Sequence, residues 1–185
     1  MLTTNYHYFY KKFKIKKMAK ITLKGEAINT SGHLPKVGVK APDFLLRTTD
    51  LAVHSLSNYA GSKVVLNIFP SVDTGICAQS VRTFNEEASE LENTKVLCIS
   101  RDLPFAQARF CAAEGLKNVV NLSDFKDGSF GNAYGLNIID GPLEGLNSRC
   151  VIILDEKGTV RYTEQVGDIV EEPNYKAALE ALQDA

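Results

Sequence analysis

Lys63-Val-Val-Leu-Asn-Ile-Phe69, then Pro70-Ser-Val-Asp-Thr-Gly75, then Ile76-Cys-Ala-Gln-Ser-Val-Arg-Thr-Phe84 is the part of the chain that sets its architecture. The first segment is rich in β-branched and large apolar residues and is bounded by Gly61 and Pro70, which predicts a buried strand. From Ile76 to Leu91 the apolar residues Cys77, Val81, Phe84, Ala88 and Leu91 recur at intervals of 4, 3, 4 and 3, the pattern of an amphipathic helix. The short loop between them puts Cys77 in the first turn of that helix. There the free N–H groups and the positive dipole end favour thiolate over thiol. Taken without its flanks, Cys77 reads as an ordinary buried helix cysteine.

The same reading extends in both directions. Upstream, Ile21 to Asn29 reads as a strand-like stretch turning at Lys24-Gly25, with short strands at Pro42 to Arg47 and Val53 to Leu56. Downstream come a strand at Lys95 to Ser100, a helix from Pro104 to Glu114 stopped by Gly115, and a short strand at Val119 to Leu122. A short helix at Phe130 to Tyr134 is followed by strands at Arg149 to Leu154 and Thr159 to Val166, joined through Asp155-Glu-Lys-Gly158. A last helix opens at Pro173, with Tyr175, Ala178, Leu179 and Leu182 on one face. This order predicts an α/β fold, a central mixed β-sheet flanked by helices on both faces, with an N-terminal β-hairpin.

Composition excludes several functions. The 185 residues, 44% of them hydrophobic, suffice for one sizeable core and argue against a disordered chain. With 21 basic and 22 acidic residues the formal charge is −1, which gives no general reason to expect nucleic acid as a partner. The charge is unevenly spread. Residues 1–17 carry five lysines and no acid, leaving 16 positive and 22 negative charges, a net of −6, on the remainder. The four cysteines, at 77, 98, 111 and 150, form no C-x-x-C pair and lie at no zinc-ligand spacing, so neither a disulfide scaffold nor a structural metal is expected. The longest apolar run, Cys150 to Leu154, is too short to span a membrane. Cys98 and Cys150 read as core strand residues, His7, His33 and His54 as solvated side chains, and Asp73 and Asp102 as capping residues of loops.

Pro70, Thr74 and Cys77 have the P-x-x-x-T-x-x-C spacing of peroxiredoxins, and Asn67 to Ala78 resembles the bacterial thiol peroxidases, the atypical two-cysteine type with a thioredoxin-like fold. The likeness continues through Leu97 to Ser100, Asp102 to Gln107, Arg109 to Cys111, Ala113 to Leu116 and Asp140 to Leu143, and covers the chain from about Lys20 onward. It implies that Cys77 is the peroxidatic cysteine and that Thr74 hydrogen-bonds its sulfur and the peroxide. Pro70 would shield the pocket, and Arg149 would stabilise the thiolate and the developing oxygen charge. Cys111 would be the resolving cysteine, 34 residues beyond Cys77 and on a different helix. Disulfide geometry needs Cα atoms roughly 4.4–6.8 Å apart, so local unfolding is expected before the two join.

The implied activity is reduction of hydrogen peroxide and organic hydroperoxides, recycled by thioredoxin, in a cytoplasmic homodimer without metal, haem or flavin. Two other readings remain open on the residues: a thioredoxin-fold protein disulfide exchanger, against which the missing C-x-x-C counts, and a non-enzymatic redox sensor. Residues 20–185 are expected to be a single thioredoxin-like domain, preceded by a basic and aromatic extension over residues 1–19. The extension has the wrong order for a secretory signal, its lysines following its aromatics, and Met18-Ala-Lys-Ile-Thr-Leu23 begins a plausible strand. Translation is therefore expected to start at Met18; the alternative is that the interleaved aromatic and basic residues form a nucleic-acid or membrane-surface arm. Intact-mass measurement of the native protein checks this, and a chain starting at Met1 or Leu2 overturns it.

Overall fold

The computed structural model describes residues 18–185; the extension over residues 1–17 lies outside the described residues. Two strands, β1 (Lys20–Leu23) and β2 (Glu26–Asn29), pair antiparallel as the expected hairpin. The rest is built on a seven-stranded mixed sheet. Its strands are β3 (Leu46–Thr48), β4 (Val53–His54), β5 (Lys63–Ile68), β6 (Thr94–Ser100), β7 (Val119–Ser123), β8 (Cys150–Leu154) and β9 (Val160–Gln165), in the spatial order β4-β3-β7-β6-β5-β8-β9. Strands β5, β6 and β7 run parallel, and β8 returns antiparallel beside β5.

Helices α1 (Gly75–Ala88), α2 (Pro104–Glu114), α3 (Ser129–Tyr134) and α4 (Tyr175–Gln183) complete the fold. Strand alternation divides the core in two. Val65, Phe69, Val96, Cys98, Val151 and Ile153 face α1 and α4, while Leu66, Ile68, Leu97, Ile99, Leu122 and Ile152 face the layer that contains Phe130 and Tyr134 of α3. Helices therefore lie on both faces, as the periodicities require. Gly115 ends α2 in the left-handed conformation at φ 68°, a position an L side chain rarely adopts.

Three boundaries differ from the sequence expectation. Within the Pro42 to Arg47 segment only Leu46 and Arg47 are strand, and that strand runs on to Thr48. Pro42 has no N–H to give a ladder, and the Asp43 carboxylate accepts from the N–H groups of Phe44 (2.9 Å) and Leu56 (2.9 Å), folding this stretch into a loop. Helix α1 stops at Ala88 rather than Leu91. Ser89 donates its hydroxyl to the Glu86 carbonyl at 2.7 Å, while Leu91 still packs on the core from outside the helix, which is why the apolar period outruns it. The last helix begins at Tyr175, with Asn174 as its cap, accepting from the Ala177 N–H at 3.0 Å.

The sheet brings the chemistry to one rim. The carboxyl ends of β5, β6 and β7 share it. Because Ile68 pairs with Cys150, Arg149 stands level with Phe69, where the β5 chain enters the Pro70 to Thr74 loop. The hairpin is tied to the same rim by Asp168. Its carboxylate accepts from the N–H groups of Lys24 (3.0 Å) and Gly25 (2.8 Å), from the Thr22 hydroxyl (2.8 Å) and from the N–H of Val170 (3.2 Å). These donors hold its pKa down, from 3.8 to about 2. A depressed carboxylate stabilises fully above 3.8 and loses that contribution as pH falls through about 2. Asp168→Asn should accordingly speed amide exchange at Lys24, Gly25 and Val170 at neutral pH. It should also remove the acid-induced loosening of the hairpin expected of the parent protein over that window, measurable by hydrogen exchange at stepped pH.

Candidate active site

The loop after β5 is fixed from below. Pro70 is buried, and the Asp102 carboxylate, at the end of β6, accepts from the Ser71 hydroxyl (2.7 Å), the Val72 N–H (2.8 Å) and the Ser100 hydroxyl (2.7 Å). Asp102 is thus a staple for the loop and not the helix cap that its position suggested. Asp73 does not cap either. Its carboxylate pairs with Arg109 of α2 at 3.3 Å, both side chains largely exposed.

Thr74 is the N-cap residue of α1, with extended backbone at φ −114° and ψ 143°. Its hydroxyl donates to the Ser71 carbonyl at 3.1 Å and not to the Cys77 sulfur, which corrects the direct Thr74–Cys77 bond expected from sequence. The Ser71 carbonyl, three residues back in the same turn, is the nearer acceptor once Asp102 has fixed Ser71. Cys77 is the third residue of α1, fully buried. Its sulfur lies 3.5 Å from Arg149 Nη2.

Arg149 is 2% exposed, the largest side chain buried in the protein. The Ile169 carbonyl accepts from its Nε (3.0 Å) and Nη2 (2.8 Å), and among the described residues Nη1 has no partner. A buried guanidinium with one acceptor and one adjacent sulfur is an environment suited to negative charge on that sulfur, and the N-terminus of α1 adds to it. The structure thus brings the Cys77 sulfur and the Arg149 guanidinium together, with Pro70 buried at the start of the loop and Thr74 exposed at its end.

The other thiols sit in different surroundings. All four cysteines are free. Cys111, partly buried on α2, accepts a hydrogen bond from Asn121 Nδ2 of β7 at 2.9 Å; burial pushes its thiol up and that bond acts the other way. Cys77 and Cys111 therefore face different partners, Arg149 and Asn121. Cys98 and Cys150 are fully buried strand residues, as expected, and burial pushes each up to about 12. Cys150 is next to Arg149 in sequence but faces the opposite side of the sheet, with the Ser148 hydroxyl 3.3 Å from its sulfur. His33 is exposed as expected, His54 is half-buried with Nδ1 2.7 Å from the Tyr59 hydroxyl, and His7 lies outside the described residues.

Sequence reading missed Asp102 as the loop staple, the Ile169 carbonyl as the arginine's acceptor, and Asn121. Only the last left a signal of its own kind, an amide inside the apolar run Val119 to Leu122. Among the described residues no group of three or more potential ligands could hold a metal ion, and no helix is long and apolar enough to cross a membrane.

Comparison with known proteins agrees with this geometry. The Redoxin family profile matches residues 36–179. The thiol peroxidase of Mycobacterium bovis (strain ATCC BAA-935 / AF2122/97) is 56% identical over 165 residues, covering 89% of this chain and 99% of that protein. A solved peroxiredoxin-like protein from Aquifex aeolicus superposes with a TM-score of 0.85 at 36% identity, over 90% of this chain and 98% of the other. The thiol peroxidase from Chromobacterium violaceum superposes at 0.81 with 23% identity, over 89% and 96%, a likeness that speaks for the fold alone. The chain belongs to the Redoxin family, with a thioredoxin-like fold. Within that family it is a peroxiredoxin of the thiol peroxidase type, an oxidoreductase with thiol-dependent peroxidase activity.

The thiol environments give a direct test. With folded-state values near 12, Cys98 and Cys150 hold only about one thiolate in ten thousand at pH 8. Iodoacetamide should label Cys111 in the reduced native protein while Cys98 and Cys150 stay unmodified until the chain is denatured, read by peptide mass spectrometry.

Proposed function

We propose that Cys77 is the peroxidatic residue of a two-cysteine cycle completed by Cys111. The observation that carries the first half is the Cys77 sulfur at the start of α1, 3.5 Å from a buried guanidinium whose Nη1 has no partner among the described residues. The sulfur attacks the nearer peroxide oxygen. An S–O bond forms, the O–O bond breaks, sulfur gives up two electrons, and the leaving oxygen takes a proton and departs as water or an alcohol. Arg149 stabilises the charge that develops on both oxygens. Thr74, exposed at the loop mouth, offers its hydroxyl oxygen to the incoming hydroperoxide, and Pro70 keeps water from the sulfur's other side.

In the second half, the Cys111 sulfur attacks the Cys77 sulfenic acid. The S–S bond forms, the S–O bond breaks, and hydroxide leaves as water. Neither sulfur is aimed at the other in the folded conformation, so α2 or the start of α1 opens first. An external dithiol returns both thiols. Thioredoxin is the proposed dithiol, and hydrogen peroxide and organic hydroperoxides are the proposed substrates, in a cytoplasmic homodimer whose residues 20–185 form a single catalytic domain. These finer assignments are supported by the family resemblance. A disulfide exchanger would place a second cysteine one turn after Cys77, where this chain has Ser80.

One equivalent of hydrogen peroxide added to the reduced protein should give a Cys77–Cys111 disulfide, mapped by mass spectrometry without reductant. Slow oxidation of all four thiols would overturn the reading. Arg149→Met should slow Cys77 oxidation by about 100-fold or more, as for loss of an oxyanion-stabilising donor. Cys111→Ser should abolish turnover with thioredoxin, its reductase and NADPH while leaving a single round of Cys77 oxidation.

A further inference from the structure

Helix α2 is held in an unusual way. Of its eleven residues only Pro104 and Gln107 are buried; Phe110, half-buried, packs on the core, and the helix's other anchoring contacts are polar. Gln107 Nε2 donates to the Ser100 hydroxyl (3.0 Å) and the Leu122 carbonyl (3.1 Å), Arg109 pairs with Asp73, and Glu114 pairs with Arg82 of α1 at 2.8 Å. The two ion pairs are at the surface, where such pairs contribute little. A further polar contact is the part-buried hydrogen bond of the Asn121 amide to the Cys111 sulfur at 2.9 Å.

Asn121 belongs to a polar row across the helix-facing side of the sheet. Asn67 of β5 pairs in register with Cys98 of β6, and Cys98 with Asn121 of β7. Both amides use their N–H groups toward the layer above. Asn67 donates to the Ser80 hydroxyl of α1 at 3.3 Å, and Ser80 in turn donates to the Cys77 carbonyl at 2.9 Å. Asn121 donates to Cys111. The Oδ1 of each has no partner among the described residues. An amide that is 7% exposed, with its oxygen unsatisfied and its nitrogen committed to one sulfur, is a costly arrangement for packing alone.

We propose that Asn121 is a positioning residue for the resolving step: its side-chain amide latches the Cys111 sulfur onto β7 and so sets how readily α2 opens to deliver that sulfur to Cys77. The proposal rests on Cys111 being the resolving cysteine. The sign follows from where the bond exists. It is present only while α2 is docked and is broken in the open form that makes the disulfide. Removing it lowers the cost of opening and leaves the sulfur chemistry unchanged. A freer α2 shortens the life of the Cys77 sulfenic acid, and a second peroxide then has less time to convert it to sulfinic acid.

The test compares the full chain with Asn121→Leu and Asn121→Ala, neither of which can hydrogen-bond to the sulfur; the second avoids overpacking should leucine prevent folding. Reduced protein is mixed with hydrogen peroxide and quenched on the millisecond scale. The readout is the ratio of the rate of Cys77–Cys111 bond formation to the rate of Cys77 oxidation, together with the sulfinic Cys77 formed in excess peroxide. The ratio should rise about three- to tenfold, the range for loss of one side-chain hydrogen bond, and the sulfinic fraction should fall. Hydrogen exchange should quicken across α2 and not across β5, β6 and β8, which general destabilisation would also loosen. A ratio at or below that of the parent in both variants, or exchange quickened evenly over the sheet, overturns the proposal. Failure of the underlying reading shows elsewhere, as undiminished thioredoxin-linked turnover in Cys111→Ser.

Discussion

The buried guanidinium of Arg149 is the constraint on which the site depends. An ion of that size taken out of water costs several kcal/mol unless its surroundings answer it. Here the Ile169 carbonyl accepts from two of its nitrogens and the Cys77 sulfur lies against one of them. The carbonyl is on the segment after β9, which forms no sheet there and needs holding. It is held by the N-terminal hairpin, since Thr22 and Ile169 exchange backbone contact (Ile169 N–H to the Thr22 carbonyl, 2.9 Å) and Asp168 grips the hairpin turn. A two-stranded appendage far from Cys77 in sequence thereby fixes the orientation of the charge beside it.

In the proposed cycle the opposite requirement applies to Cys111. A sulfur that must leave its place cannot be secured by a deep apolar anchor, because burying one large apolar side chain contributes about 1.5–3 kcal/mol that opening would forfeit. Helix α1 buries Val81 and Phe84, whereas α2 commits no large aliphatic or aromatic side chain fully to the core. Besides the buried Pro104 and the half-buried Phe110, its docking rests on hydrogen bonds and surface ion pairs. The contrast separates the half of the site that the proposed attack on peroxide needs rigid from the half that the proposed disulfide step needs to yield.

How much of this was legible in the sequence follows from how local each cause is. Strand β5, the loop and α1 were readable because hydrophobic period, Pro70 and the N-terminal position of Cys77 are written within about thirty residues. Gly115 and the hairpin turn at Lys24-Gly25 were equally plain, since backbone conformation alone demands them. Choice of hydrogen-bond partner was not readable. Thr74 has a sulfur and a carbonyl within its turn, and which one it takes depends on Asp102, which reaches Ser71 across thirty-one positions. The Asp102 carboxylate looked like a cap because capping is what a loop aspartate before a helix does when no distant donors compete. Arg149 could be placed at a strand start, but its acceptor is a main-chain carbonyl, and no side-chain pattern announces a carbonyl.

The two faces of the sheet show the same division at the level of packing. On the α3 side, Leu66, Ile68, Leu97, Ile99, Leu122 and Ile152 make a continuous apolar surface. On the other side, at the same height, the sheet presents Asn67, Cys98 and Asn121 in register beneath the helices that carry Cys77 and Cys111. Apolar residues in those places would dock both helices more tightly and would not leave two amide oxygens unsatisfied. Cohesion is thus concentrated on the face that never has to move. The polar row lies under the elements whose local opening the proposed disulfide step needs, and its cost in stability is confined to that region because the continuous core behind the sheet does not depend on it.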